Sequence, residues 1–220
     1  MKYEAKAWKE TEGACLRNFN EQAQIDSVNG ALALRPQIEK IIDQIWEEGF
    51  DGIYFIGIGG TYASSMQVEV YMRGRSKLPV FVENAAEFLT TGNKKFTNKS
   101  VVIISSVSGN TKEMVELVDR VHEKGAKVFS FIDNPGTTLT QPDKQDYLIV
   151  YPMNEQLKFY MVANYLMYKN GEFDDYDRYN KEMEANLADV LVQVEKDSDE
   201  WAYEYAKNKV DFWAHLYKGS

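Results

Sequence analysis

Val101-Val102-Ile103-Ile104-Ser105-Ser106-Val107-Ser108-Gly109-Asn110-Thr111-Lys112-Glu113 is the stretch whose reading decides the fold. Four β-branched residues, Val101 to Ile104, read as a buried parallel strand. From Thr111 a helix begins, with Met114, Leu117, Val118 and Val121 on one apolar face. Gly109 and Asn110 let the backbone turn sharply between the two. A helix start presents backbone N–H groups without intrahelical partners, together with the positive end of the helix dipole, so an anion can sit there without Lys or Arg. Ser106, Ser108 and Thr111 add hydroxyl donors at the same point. One hydroxyl there would be explained as a cap or turn former; three, spaced S-x-S-G-x-T behind a buried strand, favour a bound phosphate.

A second glycine-rich turn lies upstream, in Ile53-Tyr54-Phe55-Ile56-Gly57-Ile58-Gly59-Gly60-Thr61-Tyr62. Gly57-Ile58-Gly59 begins a dinucleotide-binding fingerprint, and Glu83 could serve as its ribose acid. The fingerprint fails at Tyr62, where the third glycine would have to be. No nicotinamide, flavin or other cofactor is expected.

Around these turns strand and helix alternate. Helices are expected from Phe19 to Asn29, and from Pro36 to Glu48 with Ile38, Ile41, Ile42, Ile45 and Trp46 on one face. Strands are expected at Gly52–Gly57, Pro79–Glu83, Ser100–Ser105, Lys127–Ile132 and Asp146–Tyr151, and a closing helix from Asn154 to Lys169. Asn134-Pro135-Gly136 reads as a turn. The fold class is α/β, a three-layer αβα sandwich on a five-stranded parallel sheet, flavodoxin-like or Rossmann-like. Ligands of such sheets sit beyond the carboxyl ends of strands at a switch point. Both glycine-rich turns emerge there, so one shared pocket is expected.

The two turns together resemble the sugar isomerase (SIS) domain family, with Glu83-Asn84-Ala85-Ala86-Glu87-Phe88 similar to the family's segment after the second strand. The resemblance runs from about Ile38 to Lys169 and looks most like the fructosamine-6-phosphate deglycases. It implies a phosphosugar site at Gly59, Gly60, Thr61, Ser106, Val107, Ser108, Gly109, Asn110 and Thr111, filled by a phosphorylated sugar or a sugar-amine adduct. In two-domain members of the family the Glu and His of proton transfer belong to a second SIS domain. Nothing matching them occurs here, so catalytic residues stay unassigned. Glu83, Glu87 and Glu155, near strand ends, are candidates for contacts to sugar hydroxyls or for proton transfer. A non-catalytic phosphosugar-sensing module is the alternative function.

Composition narrows the field. Of the 220 residues, 44% are hydrophobic, enough for a substantial core. No window approaches the roughly 18 apolar residues of a membrane span, and Met1-Lys2-Tyr3-Glu4 opens no signal sequence; a cytoplasmic protein with no membrane partner is expected. With one cysteine, Cys15, and two histidines, His122 and His215, no metal site is expected, and His122 reads as a surface residue. The net charge of -9, with eight Lys and Arg against fourteen Asp and Glu from Tyr151 onward, argues against nucleic acid.

Three regions follow: a helical extension at 1–35, the SIS domain at 36–170, and a helical extension at 171–220. In the last, Tyr179, Met183, Leu187, Val190 and Val194 form an apolar stripe, expected to be buried in a homodimer. A second helical piece carries Trp201 and Tyr205. Val210 to Tyr217 reads as the opening strand of a further SIS domain, absent or truncated, or else as an appendage ending in a Gly219-Ser220 tail.

Overall fold

A computed structural model describes residues 20–208. The expectations for residues 1–19, including Cys15, and for the strand from Val210 with His215 lie outside the described residues. The chain divides into two compact units. Gly30–Asn180 forms one; the described residues 20–29 and 181–208 belong to the other.

The Gly30–Asn180 unit is a five-stranded, all-parallel sheet: β1 (Gly52–Gly57), β2 (Val80–Asn84), β3 (Ser100–Ser106), β4 (Lys127–Ile132) and β5 (Tyr147–Val150), in the order β2-β1-β3-β4-β5. Its helices are α2 (Arg35–Glu48), α3 (Gly60–Arg73), α4 (Ala85–Thr91), α5 (Lys112–Glu123) and α6 (Glu155–Lys169), after α1 (Glu21–Leu32), which begins in the other unit. β1 and β3 are buried along their whole length, as their unbroken apolar runs require.

Side chains alternate across the sheet. Tyr54, Ile56, Val102, Ile104, Val128 and Ile132 form one core with Phe88 of α4 and with Met114, Leu117, Val118 and Val121 of α5. On the opposite face Phe159 of α6 meets Phe55 and Phe131 edge to face, at ring separations of 5.4 and 6.1 Å. α6 also packs against α2 and α3. Pro36 opens α2, Gly49 closes it at φ +76°, and Ile38, Ile41, Ile42 and Ile45 are its buried face.

The order reverses between β1 and β3: from β1 the chain crosses outward to β2, and from β3 outward to β4 and β5. That switch point opens a crevice at the carboxyl ends of β1 and β3. Both glycine-rich turns lie on it.

In the second unit, residues 181–208 continue the single helix α7 (Tyr176–Asn208) rather than breaking before Trp201. Lys196 pairs with Glu21 at 2.6 Å. The buried positions of α7 differ from the sequence stripe: Ala188 and Val192 are buried, Met183 and Leu187 are half-buried, and Val190 and Val194 are exposed. Apolar spacing marks a helix face but not what covers it.

Candidate functional site

The turn from β3 to α5 is held by its own side chains. Ser106 Oγ accepts the Gly109 N–H at 3.1 Å. Ser108 Oγ lies 3.1 Å from Thr111 Oγ1 and accepts the Asn110 N–H at 3.3 Å. Gly109, at φ +62°, is buried against Thr137: a Cβ there would fall 2.0 Å from Thr137 Oγ1. Thr111 is the N-cap residue of α5, yet its side chain makes no capping bond. The hydroxyl therefore does not occupy the helix start as a cap would.

Asn110 takes a different part. Its Oδ1 accepts from Thr138 N–H and Oγ1 at 2.9 and 2.8 Å, and its Nδ2 donates to the Ser108 carbonyl. The amide ties the turn to the segment after β4.

The β1 to α3 turn is built on close backbone approach. A Cβ on Gly57 would meet the Thr61 carbonyl carbon and the Tyr62 nitrogen, each at 2.6 Å. Thr61 Oγ1 accepts from Ile58 N–H at 3.0 Å and lies 3.1 Å from the Ile58 carbonyl. Gly59, at φ +60°, carries the chain into α3.

The sequence reading missed a third wall. Met153 and Asn154 adopt consecutive left-handed conformations, φ +60° and +53°, just before α6. Asp133, at the end of β4, holds this turn: its Oδ2 accepts the Met153 N–H at 2.9 Å, while its own N–H donates to the Ser106 carbonyl. Behind it Lys158 is fully buried, its Nζ 2.8 Å from the Tyr151 carbonyl and 3.4 Å from Asp133 Oδ1. Burial lowers the Lys158 pKa from its ordinary value, and the Asp133 carboxylate opposes the shift. The signals were a lone charge in an otherwise apolar helix face and an acid closing a parallel strand.

These three turns surround a cavity of about 620 Å³, a size suited to a small ligand. Of the residues the sequence singled out, Gly60, Thr61, Ser106, Val107, Ser108 and Thr111 line it; Gly59, Gly109 and Asn110 shape the turns without forming its wall. Ser105, Asp133, Met153 and Asn154 join them. Of the three candidate carboxylates Glu155 alone reaches the wall, where its Oε1 accepts from Ser64 Oγ at 2.6 Å. Glu83 instead accepts from Asn93 Nδ2 at 2.7 Å, and Glu87 is exposed in the first turn of α4. His122 is half-buried, with Nε2 3.0 Å from Asp146 Oδ2, and lies off the cavity wall. Among the described residues no Lys, Arg or His lines the cavity, and the ionisable side chains on its lining are Asp133 and Glu155. The N-termini of α3, α5 and α6 all open on it. An anion would be held there by backbone N–H groups and hydroxyls.

Among the described residues no group of His, Cys, Asp or Glu is placed to hold a metal, and no helix is long and apolar enough to cross a membrane.

Comparison with known proteins agrees with this architecture. Solved structures with the same fold include an inferred phosphosugar isomerase from Salmonella typhimurium LT2, with a TM-score of 0.68 and 24% identity over 80% of this chain and 56% of that one. Another is the C-terminal domain of glucosamine-fructose-6-phosphate aminotransferase from Francisella tularensis, with a TM-score of 0.67 and 15% identity over 86% of this chain and 58% of that one. In sequence the chain is 26% identical over 165 residues to the isomerizing glutamine–fructose-6-phosphate aminotransferase of Fusobacterium nucleatum, a match covering 68% of this chain and 27% of the relative. It thus spans about a quarter of that protein's length. The SIS domain profile matches residues 50–169, from just before β1 to the end of α6 and including all three turns of the cavity. The chain belongs to the SIS domain family.

Proposed function

We propose that this chain binds a phosphorylated sugar or a sugar-amine adduct, with the phosphate on the turn Ser106 to Thr111, as the phosphosugar-binding half of a fructosamine-6-phosphate deglycase or an aldose–ketose phosphosugar isomerase. One observation carries the reading: three helix N-termini and the hydroxyls of Ser106, Ser108 and Thr111 meet on a cavity whose lining, among the described residues, holds no cationic side chain. Such a wall suits a compact anion attached to a neutral, hydroxyl-rich body. Thr61, on the opposite turn, closes the site.

Either reaction moves a proton between the carbons flanking the ketone, and deglycation also needs an acid to release the amine. Asp133 is committed to Lys158 and the Met153 N–H, so Glu155 is the carboxylate left on the wall to exchange a proton. A sugar-sensing module is a second reading, favoured because, among the described residues, that wall carries no His and no acid besides Asp133 and Glu155. An assay for glucose 6-phosphate released from fructoselysine 6-phosphate separates the two. This chain alone is expected to bind without appreciable turnover, because among the described residues the wall offers Glu155 where an acid and a base are both needed, and lacking one of them costs on the order of 10²- to 10⁴-fold. Turnover on the order of 1 s⁻¹ would put the base within these residues.

The proposal includes a homodimer that covers the exposed Val190 and Val194 of α7, and a cytoplasmic location.

A further inference from the structure

Three buried side-chain oxygens among the described residues have no hydrogen-bond partner: Tyr54 Oη, Ser105 Oγ and Ser130 Oγ. Tyr54 belongs to the core beneath α4 and α5, and Ser130, paired in register with Ile104, points to that same face. Neither lines the cavity. Ser105 does, and it is 1% exposed. Adjacent residues of a strand point to opposite faces, so Ser105 leaves the sheet on the side away from Ser106. That is the face covered by α6, as Phe131, its register partner on β4, shows by its contact with Phe159. On that side of the cavity Ser64 of α3 donates to Glu155 at the start of α6, the two lying 91 residues apart in sequence.

Resting on the phosphosugar reading above, we infer that Ser105 and the Ser64–Glu155 pair form a second subsite, which binds the hydroxyls of the sugar while the turn Ser106 to Thr111 binds its phosphate. The chemistry is complementary. A buried hydroxyl without a partner carries an uncompensated desolvation cost, which a ligand hydroxyl would relieve. Serine both donates and accepts, and a carboxylate only accepts, so the pair matches sugar hydroxyls, each of which does both. Ser64 already fixes one oxygen of Glu155, so the carboxylate is oriented before a ligand arrives. Ser105 and Glu155 are then specificity-determining residues for the sugar, with no part in holding the phosphate.

Calorimetric titration of the whole chain and of its Ser105→Ala and Glu155→Gln variants, with inorganic phosphate and with fructose 6-phosphate, tests this. Both substitutions nearly preserve shape, and circular dichroism checks that each variant is folded. Fructose 6-phosphate affinity should fall about fivefold in Ser105→Ala, the worth of one uncharged hydrogen bond, and at least as much in Glu155→Gln. Inorganic phosphate affinity should stay within about twofold. Unchanged fructose 6-phosphate affinity in both folded variants would overturn the subsite and leave the phosphate reading standing. An equal loss for both ligands would overturn it too, by making these residues part of the phosphate site. If the unaltered chain bound neither ligand, the phosphosugar reading itself would fall, and the subsite with it.

Discussion

Lys158 Nζ donates a 2.8 Å hydrogen bond to the carbonyl of Tyr151, two residues before the left-handed pair Met153 and Asn154. A fully buried ammonium thus secures a turn whose backbone is costly to hold, and on its other side it faces the Asp133 carboxylate. Lys158→Met would leave that carboxylate without its cation. The variant should lose about 3 kcal/mol or more of stability, as when one partner of a buried ion pair is removed, seen as a lower urea midpoint. A midpoint unchanged from that of the parent chain would mean that the turn holds itself.

Gly109 is a second point of strain. Its positive φ and the contact with Thr137 leave no room for a methyl group. Gly109→Ala should cost about 1–3 kcal/mol and, by displacing Ser108, should weaken fructose 6-phosphate binding as well. Thermal melts and titration of the same variant would show whether the two losses occur together.

The start of β4 carries a pH dependence. Lys127 donates to the Glu48 carboxylate and holds its pKa below 4.5, burial opposing, with Tyr147 adding a further bond at 3.2 Å. A carboxylate whose folded pKa is depressed contributes stability that is complete above its unfolded pKa and is lost as pH falls through the folded value. Both Lys127 and Glu48 are well exposed, so solvent keeps the contribution below about 1 kcal/mol. Urea midpoints at pH 7 and pH 3 should therefore differ slightly less in Glu48→Gln than in the parent chain.

Assembly is tested at an exposed position. Val190 is 53% exposed, so an aspartate there should not disturb the fold of the single chain. If α7 joins two copies, sedimentation should show a dimer for the parent chain at micromolar concentration and a monomer for Val190→Asp. A monomeric parent chain would remove the dimer from the proposal.

The strands and the helices packed on them were legible because burial writes itself into sequence: Val101 to Ile104 could lie only inside, and Met114, Leu117, Val118 and Val121 could share only one helical face. Boundaries moved by a residue or so where side chains decide them. β2 ends at Asn84 rather than Glu83, because the Asn84 side chain accepts the Ala86 and Glu87 N–H groups and starts α4 there. The glycine-rich halves of the site were visible for a similar reason, since Gly57 and Gly109 stand where only glycine fits. The third wall was not. A lone lysine in an apolar helix and an acid at a strand end are weak local signals, and the roles of Asp133, Asn154 and Lys158 arise only when β4 and α6 meet in space. Ser105 read as the last residue of its strand, and only the pleat of β3 separates its face from that of Ser106. On α7 the spacing identified the helix, but beyond Asn180 the buried positions include Ala188 and Val192 and leave Val190 and Val194 exposed.

The central claim is that the turn between β3 and α5 holds the phosphate of a sugar, and titration of fructose 6-phosphate into the parent chain and its Ser108→Ala and Thr111→Ala variants tests it most directly. Saturable binding to the parent chain is expected, weakened by about 1.5–3 kcal/mol in each variant, the range for hydrogen bonds to a charged group, with fructose lacking phosphate failing to compete. Equal affinity in all three proteins, or equal affinity for fructose without its phosphate, would contradict it.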